Sequence, residues 1–293
     1  MQIVHDTEAG GGMSVLTATI EGVGFWATGL PTWEAAQAFA QTGVAPVDAP
    51  MRPSPQLLAP NERRRAPESV AVALDVALAA CAAAGRDPRT LPSVFTSTQG
   101  DLAITDYMCA TLRDEPRTIS PTRFHNSVHN AAAGYWTIGN GCMAPATALS
   151  AYDASFAEGL LEALVQLATG SEAVLLVAYD THATGPLGGV ARSEGVLGAA
   201  LLLSNGSMPN GASTPGAVQV RAQLVDGEAA PAHGALSRRY AGNLMAPMLP
   251  LFDALAAGDN DVMLKAGPNR LLRVVLSRPM ASRLETSSEV RVA

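Results

Sequence analysis

Residues Asp153 to Thr169 form a helical stretch with almost no polar face, and after Gly170 comes the unbroken apolar run Ala173-Val174-Leu175-Leu176-Val177-Ala178. A helix that is hydrophobic nearly all round has to be buried. A short aliphatic run without polar alternation belongs to a strand covered on both faces. A buried helix beside a doubly covered strand requires a layered α/β protein.

The rest of the chain repeats that alternation. Ser14 to Phe25 reads as a first strand, and Glu62 to Ala84 as one helix with Val70, Leu74, Ala77 and Leu78 at helical spacing and Gly85 as its stop. A strand over Pro92 to Ser97 and a helix over Asp101 to Arg113 follow, then a strand over Gly195 to Leu203. Residues 205–216, rich in Gly, Ser, Pro and Asn, read as a surface loop. Beyond it lie a strand (Val218 to Leu224), a helix (Asn243 to Ala257) and a last strand (Leu271 to Leu276). The organisation expected is a first half over 14–204, a shorter second half over 217–277 packed on it, and flexible tails at 1–13 and 278–293.

Composition narrows the function. With 293 residues, 48% of them hydrophobic, the chain can bury one large core or two ordinary ones. A net charge of −7 creates no field for nucleic acid or anionic lipid. No stretch reads as a membrane span, and Met1 to Met13, with two acids and three glycines, lacks the basic start and apolar run of a secretory signal. Cys81, Cys109 and Cys142 are odd in number and widely spaced, without the C-x-x-C pairing of zinc or redox sites, so a reducing cytoplasm is expected. The basic cluster Arg63-Arg64-Arg65 reads either as a solvated helix start or as a dock for an acidic partner such as an acyl carrier protein.

Four runs carry a resemblance: Pro116-Arg117-Thr118-Ile119-Ser120-Pro121, His125-Asn126-Ser127-Val128-His129-Asn130, Ala133-Gly134-Tyr135-Trp136-Thr137-Ile138, and Ser155-Phe156-Ala157-Glu158-Gly159-Leu160-Leu161-Glu162-Ala163. With Gly24-Phe25-Trp26-Ala27, they make the chain resemble the β-ketoacyl synthases of the thiolase superfamily. Within these it is most similar to the short, cysteine-less chain-length factors of bacterial aryl-polyene clusters. The resemblance implies a thiolase-like, layered α/β/α/β/α fold with a complete N-terminal half and an abbreviated C-terminal half.

In synthases the run Asn-x-x-Ala-Gly leads, about twenty residues on, to Thr-Ala-Cys-Ala-Ser-Gly at the start of a helix. Here Asn130-Ala131-Ala132-Ala133-Gly134 leads without a gap to Ser150-Ala151-Tyr152-Asp153-Ala154-Ser155, so Asp153 stands where the nucleophile would be. Chain-length factors often carry glutamine there, so aspartate departs from that pattern too. Ala232-His233-Gly234-Ala235 is similar to the first catalytic-histidine run but lacks its hydroxyl residues. Ala241-Gly242-Asn243-Leu244-Met245 is similar to the second with Asn243 in place of histidine, and Gly267-Pro268-Asn269 takes the place of the Gly-Phe-Gly-Gly loop as an ordinary turn.

The chemistry points the same way. Acyl condensation needs a nucleophile that forms a thioester, and cysteine at a helix start suits it because the dipole and free amides stabilise the thiolate. A carboxylate at Asp153 is a weak nucleophile whose acyl product would be a labile anhydride. Aspartate is instead a favoured N-cap, contributing about 1 kcal/mol, and that role is expected for Asp153. Ser150 or Cys142 could replace the nucleophile only if a histidine such as His129 approached in space; no Gly-x-Ser-x-Gly elbow surrounds Ser150. His125 and His129 could share a metal if helical, but no third ligand is evident, so neither metal nor other cofactor is expected; both histidines are expected at a subunit interface.

By register with the synthases, the helix Asp101 to Arg113 walls the acyl tunnel, with Ile104 at a gating position and Tyr107 and Met108 one turn later. These three, His129 and Asn130 are the tunnel or interface candidates. The expected function is that of a non-catalytic, ketosynthase-like subunit, a chain-length factor that pairs with an active ketosynthase in bacterial fatty acid or polyketide (aryl polyene) biosynthesis, with acyl carrier protein as a further partner. The alternatives are an independent acyltransferase or thioesterase using Ser150 or Cys142 with His129, and a homodimeric scaffold without catalysis.

Overall fold

A computed structural model describes residues 14–206 and 216–278. The first strand, β1 (Leu16–Ala27), is followed by helices α1 (Trp33–Thr42), α2 (Pro60–Arg65) and α3 (Glu68–Ala84). Strand β2 (Ser93–Thr96) leads to α4 (Leu102–Asp114), α5 (Pro121–His125) and α6 (Ala131–Asn140), then to β3 (Ala146–Leu149), α7 (Ser155–Ala168) and β4 (Ala173–Asp180). After the short α8 (Gly185–Gly188) come β5 (Leu197–Ser204), β6 (Val218–Asp226), α9 (Ala235–Arg239), α10 (Leu249–Ala257), β7 (Asp261–Lys265) and β8 (Arg270–Ser277).

All eight strands join one mixed sheet in the order β3-β2-β4-β5-β1-β6-β8-β7. The pairs β2/β3 and β2/β4 are parallel, and every other pair is antiparallel. Strands β4 and β5 are buried at every position, the consequence of helices on both faces. On one face α3 and α6 close a core around Trp26, Leu74, Phe95 and Trp136. On the other, α7 and α10 close a core that reaches from Val94 and Leu176 to Leu264 and Val274, so strands of both halves share it. Strands β6, β7 and β8 alternate buried and exposed residues. Their outer face is therefore solvated.

The α3 face is set by two glycines. A Cβ on Gly24 would lie 2.0 Å from the Val76 carbonyl oxygen and one on Gly22 2.2 Å from that of Ala80, so only glycine lets α3 lie this close to β1. Just before them the β1/β5 register shifts at Ile20/Gly22, leaving Glu21 as a bulge residue. Its buried carboxylate takes a two-pronged pair from Arg86, at 2.8 Å to each oxygen, just past the end of α3.

The structure corrects several boundaries. The helix expected over Glu62 to Ala84 is two helices, because Pro67 has no N–H to donate and drives Ala66 into an extended conformation, with φ −61° and ψ 136°. The helix expected from Asn243 begins at Leu249, preceded by the 3₁₀ turn Ala246–Met248. Helices α1 and α6 and strand β7 were not anticipated. Of the predicted surface loop, residues 207–215 lie outside the described residues, as do the expected tails at 1–13 and from residue 279. Residues 266–269 form the turn between β7 and β8, with Asn269 at φ +51°. No helix among the described residues is long and apolar enough to cross a membrane.

Candidate functional site

Strands β2, β3 and β4 run parallel and end together, and the side chains that follow them form the centre of the site. After β3, a 3₁₀ turn spanning Tyr152–Ala154 leads into α7. Asp153 lies inside that turn and not at the N-cap, so the capping role expected for it is not the one it plays. The Ser155 hydroxyl holds the turn instead, accepting from the Ala151 N–H at 2.9 Å and donating to the Tyr152 carbonyl at 2.6 Å. Tyr152 pays for the tight approach with a left-handed φ of +56°. Freed from capping, the half-exposed Asp153 carboxylate pairs with Lys265 Nζ of β7 at 2.5 Å.

Between the ends of β2 and β4 sits a buried carboxyl that sequence reasoning missed. Asp180, at the end of β4, is 2% exposed. It accepts from the Ser97 hydroxyl at 2.6 Å and from the Thr98 N–H at 3.1 and 3.2 Å. Burial pushes its pKa up to about 6, against the opposing pull of the bonds from Ser97 and Thr98. The same two residues hold the neighbouring elements: the Ser97 carbonyl accepts from His129 Nε2 at 2.9 Å and the Thr98 carbonyl from the Ser150 hydroxyl at 2.8 Å. The only signal in the sequence was an acid ending a strand otherwise entirely apolar.

Those bonds decide the alternative nucleophiles. The Ser150 proton is directed at a backbone carbonyl, His129 Nε2 is spent on another, and the Cys142 thiol is buried 3.6 Å from the Leu91 carbonyl. No hydrogen bond joins His129 to either residue among the described residues, so the nucleophile–base pair required by that alternative is not assembled. His125 ends α5 while His129 lies in the turn before α6, so the two do not share a helix; His125 packs edge-on to Tyr135. Asn243, where a histidine would stand, is buried and structural: its amide donates to the Glu194 carbonyl at 3.0 Å and accepts from the Met245 N–H at 2.9 Å. His233 is exposed.

Two groups of candidates converge. A cavity of about 580 Å³ is lined by Ile104, from the expected tunnel wall, and by Arg65, from the expected docking cluster, together with Arg123, Asn126, Thr181 and His182. Tyr107 does not line it but touches a residue that does, its ring centroid 4.0 Å from the Arg123 guanidinium. Met108 follows on α4, half-buried. Arg63 differs from its neighbours: its guanidinium turns back to donate to the Leu58 carbonyl at 2.9 Å, so it belongs to the fold. Arg64 and Arg65 remain exposed. His129 and Asn130 line a second hollow, between α6 and β3.

The sequence pattern described as "beta-ketoacyl synthase, N-terminal domain" matches residues 32–241. The chain belongs to the β-ketoacyl synthase family. Among solved structures, a ketosynthase (ApeO) in complex with its chain length factor (ApeC) from Xenorhabdus doucetiae superposes with a TM-score of 0.64 at 22% identity, covering 89% of this chain and 97% of that one. The ishigamide ketosynthase/chain length factor gives 0.64 at 14% identity over 89% and 99%. A type II polyketide synthase complex of ketosynthase and acyl-carrier protein, AntDE:AntF, gives 0.66 at 14% over 90% and 100%. At these identities the likeness establishes the thiolase-like α/β fold of a ketosynthase. No curated protein matches the chain.

Proposed function

We propose that this protein is a chain-length-factor subunit. It lends a ketosynthase-like fold to a catalytically competent ketosynthase and performs no condensation of its own. The observation that carries this reading is the state of Asp153: a carboxylate occupies the nucleophile's place and is neutralised by Lys265. The loss is not isolated, since Asn243 is locked into backbone bonds where the second histidine would act.

The surface supports a partner. Strand β3 is an edge strand, hydrogen-bonded among the described residues only to β2, and leaves one row of backbone groups available for pairing. Ile138 and Met143, on the segment leading into it, are 80% and 94% exposed. Large apolar side chains so close to an open edge mark an interaction surface. The pathway this implies is bacterial fatty acid or polyketide synthesis of the aryl-polyene type, with acyl carrier protein delivering the chain and Arg64 and Arg65 as its docking candidates.

The test is co-expression with a complete ketosynthase from the same type of cluster, followed by co-purification and an elongation assay with acyl and malonyl carrier proteins. The pair is expected to form a stable complex and elongate, and this chain alone to do neither. Robust elongation by the isolated chain would overturn the reading.

A further inference from the structure

Tyr152 is held in a backbone conformation that its own side chain opposes. Its φ of +56° lies in the left-handed region, where the Cβ of a bulky residue crowds the following carbonyl. The only other non-glycine with a positive φ among the described residues is Asn269, a residue type that tolerates it. The turn is fixed on both sides of the strained bond. The buried Ser155 hydroxyl binds the Ala151 N–H and the Tyr152 carbonyl, and Asp153, next in the chain, is fastened to Lys265. Strain of this kind persists where its surroundings over-determine it.

The strained side chain returns nothing to the fold. At 68%, Tyr152 is the most exposed aromatic among the described residues, and its ring and hydroxyl make no hydrogen bond or ring contact with any of them. An asparagine or a glycine would take the same turn with less strain. An aromatic kept against its backbone preference and away from its own core points to a contact outside the chain.

Its place in the fold says what that contact is. Tyr152 follows the last residue of β3, Leu149, by three positions, at the end of the open sheet edge. Beside that edge Ala146 and Ala148 of β3, with Ala133 and Gly134 of α6, line a hollow whose small side chains leave room for a partner's larger ones. An open edge is completed by another open edge, and a subunit of the same architecture presents one. We propose that Tyr152 is the anchor residue of the contact with the ketosynthase subunit, presented at the end of β3 by its strained turn. The inference rests on the length-factor reading for the identity of the partner; strain and exposure point to an external contact without it.

The experiment titrates the full chain against a complete ketosynthase from the same type of cluster, by biolayer interferometry, with thermal melts of the isolated chain in parallel. Tyr152→Asn removes the ring and keeps the turn. It is expected to weaken pairing at least about tenfold, the scale of a truncated aromatic anchor, and to melt at or above the temperature of the unmodified chain. Tyr152→Phe is expected to pair within about threefold of it, because the ring carries most of the contact area. A lowered melting temperature of Tyr152→Asn means that the ring serves the fold and overturns the proposal. Unchanged pairing of Tyr152→Asn overturns it too and leaves the length-factor reading standing. Failure of the unmodified chain to pair sinks that reading, and with it the ketosynthase as the partner of Tyr152.

Discussion

Asp153 and Lys265 meet at 2.5 Å, joining the turn before α7 to the edge strand β7. The pair ties the first half of the chain to the second at the point where a condensing enzyme would keep its cysteine free. Because both side chains are about half exposed, solvent screens the attraction strongly.

Asp153→Ala and Lys265→Ala are each expected to lower stability by no more than about 1 kcal/mol, read by denaturant titration. Asp153→Cys is expected to leave the isolated chain without elongation activity, since no histidine is placed to activate the thiol: Asn243 is bonded to backbone and His233 is exposed. Radiolabelled malonyl transfer would detect a gain.

The Asp180 carboxyl imposes a pH dependence. Its pKa in the fold, about 6, lies above the ordinary 3.8, so between those values the folded state binds more protons than the unfolded one. Stability attributable to this group is therefore full below about pH 4 and lost as pH rises through about 6, by about 3 kcal/mol in total. Asp180→Asn is expected to flatten that slope; thermal melts of both proteins from pH 4 to 7 measure it.

The Glu21–Arg86 pair works in the opposite sense. Burial would raise the Glu21 pKa, but the bonds from Arg86 and Ser204 outweigh it and lower the value. Stability from this carboxylate is present above the ordinary pKa of 4.5 and lost as pH falls through the lowered one. Glu21→Gln is expected to cost about 3–5 kcal/mol, because it removes the charge of one partner of a buried ion pair; chemical denaturation at pH 7 checks it.

Gly24→Ala is expected to destabilise by more than the roughly 1–3 kcal/mol of ordinary overpacking. The added Cβ meets backbone, the Val76 carbonyl, at 2.0 Å and cannot push a flexible side chain aside. Loss of soluble expression or a strongly lowered melting point is the expected observation.

What could be read in advance followed local rules. The buried helix α7 and the strand β4 were visible because an apolar surface without a polar face admits one environment. Gly85 was visible as a stop because it takes the left-handed conformation, φ +64°, that ends α3. The break at Pro67 was equally local, but the apolar period continues on either side of it and masks it. Strand β7 was harder: five residues, Asp261–Lys265, with only Val262 and Leu264 buried, are too short for a pattern to stand out.

The sequence by itself determined the α/β class, the family motifs and the absence of a cysteine at position 153, since each depends on residue identity and short-range order. Tertiary structure decided what those residues do. Whether Asp153 caps a helix or pairs with a lysine more than a hundred positions away, whether His129 reaches Ser150 or a carbonyl, and whether Arg65 and Ile104 share a cavity all depend on contacts between remote segments. Such contacts exist only after the sheet has ordered its strands and brought the ends of β2, β3 and β4 together.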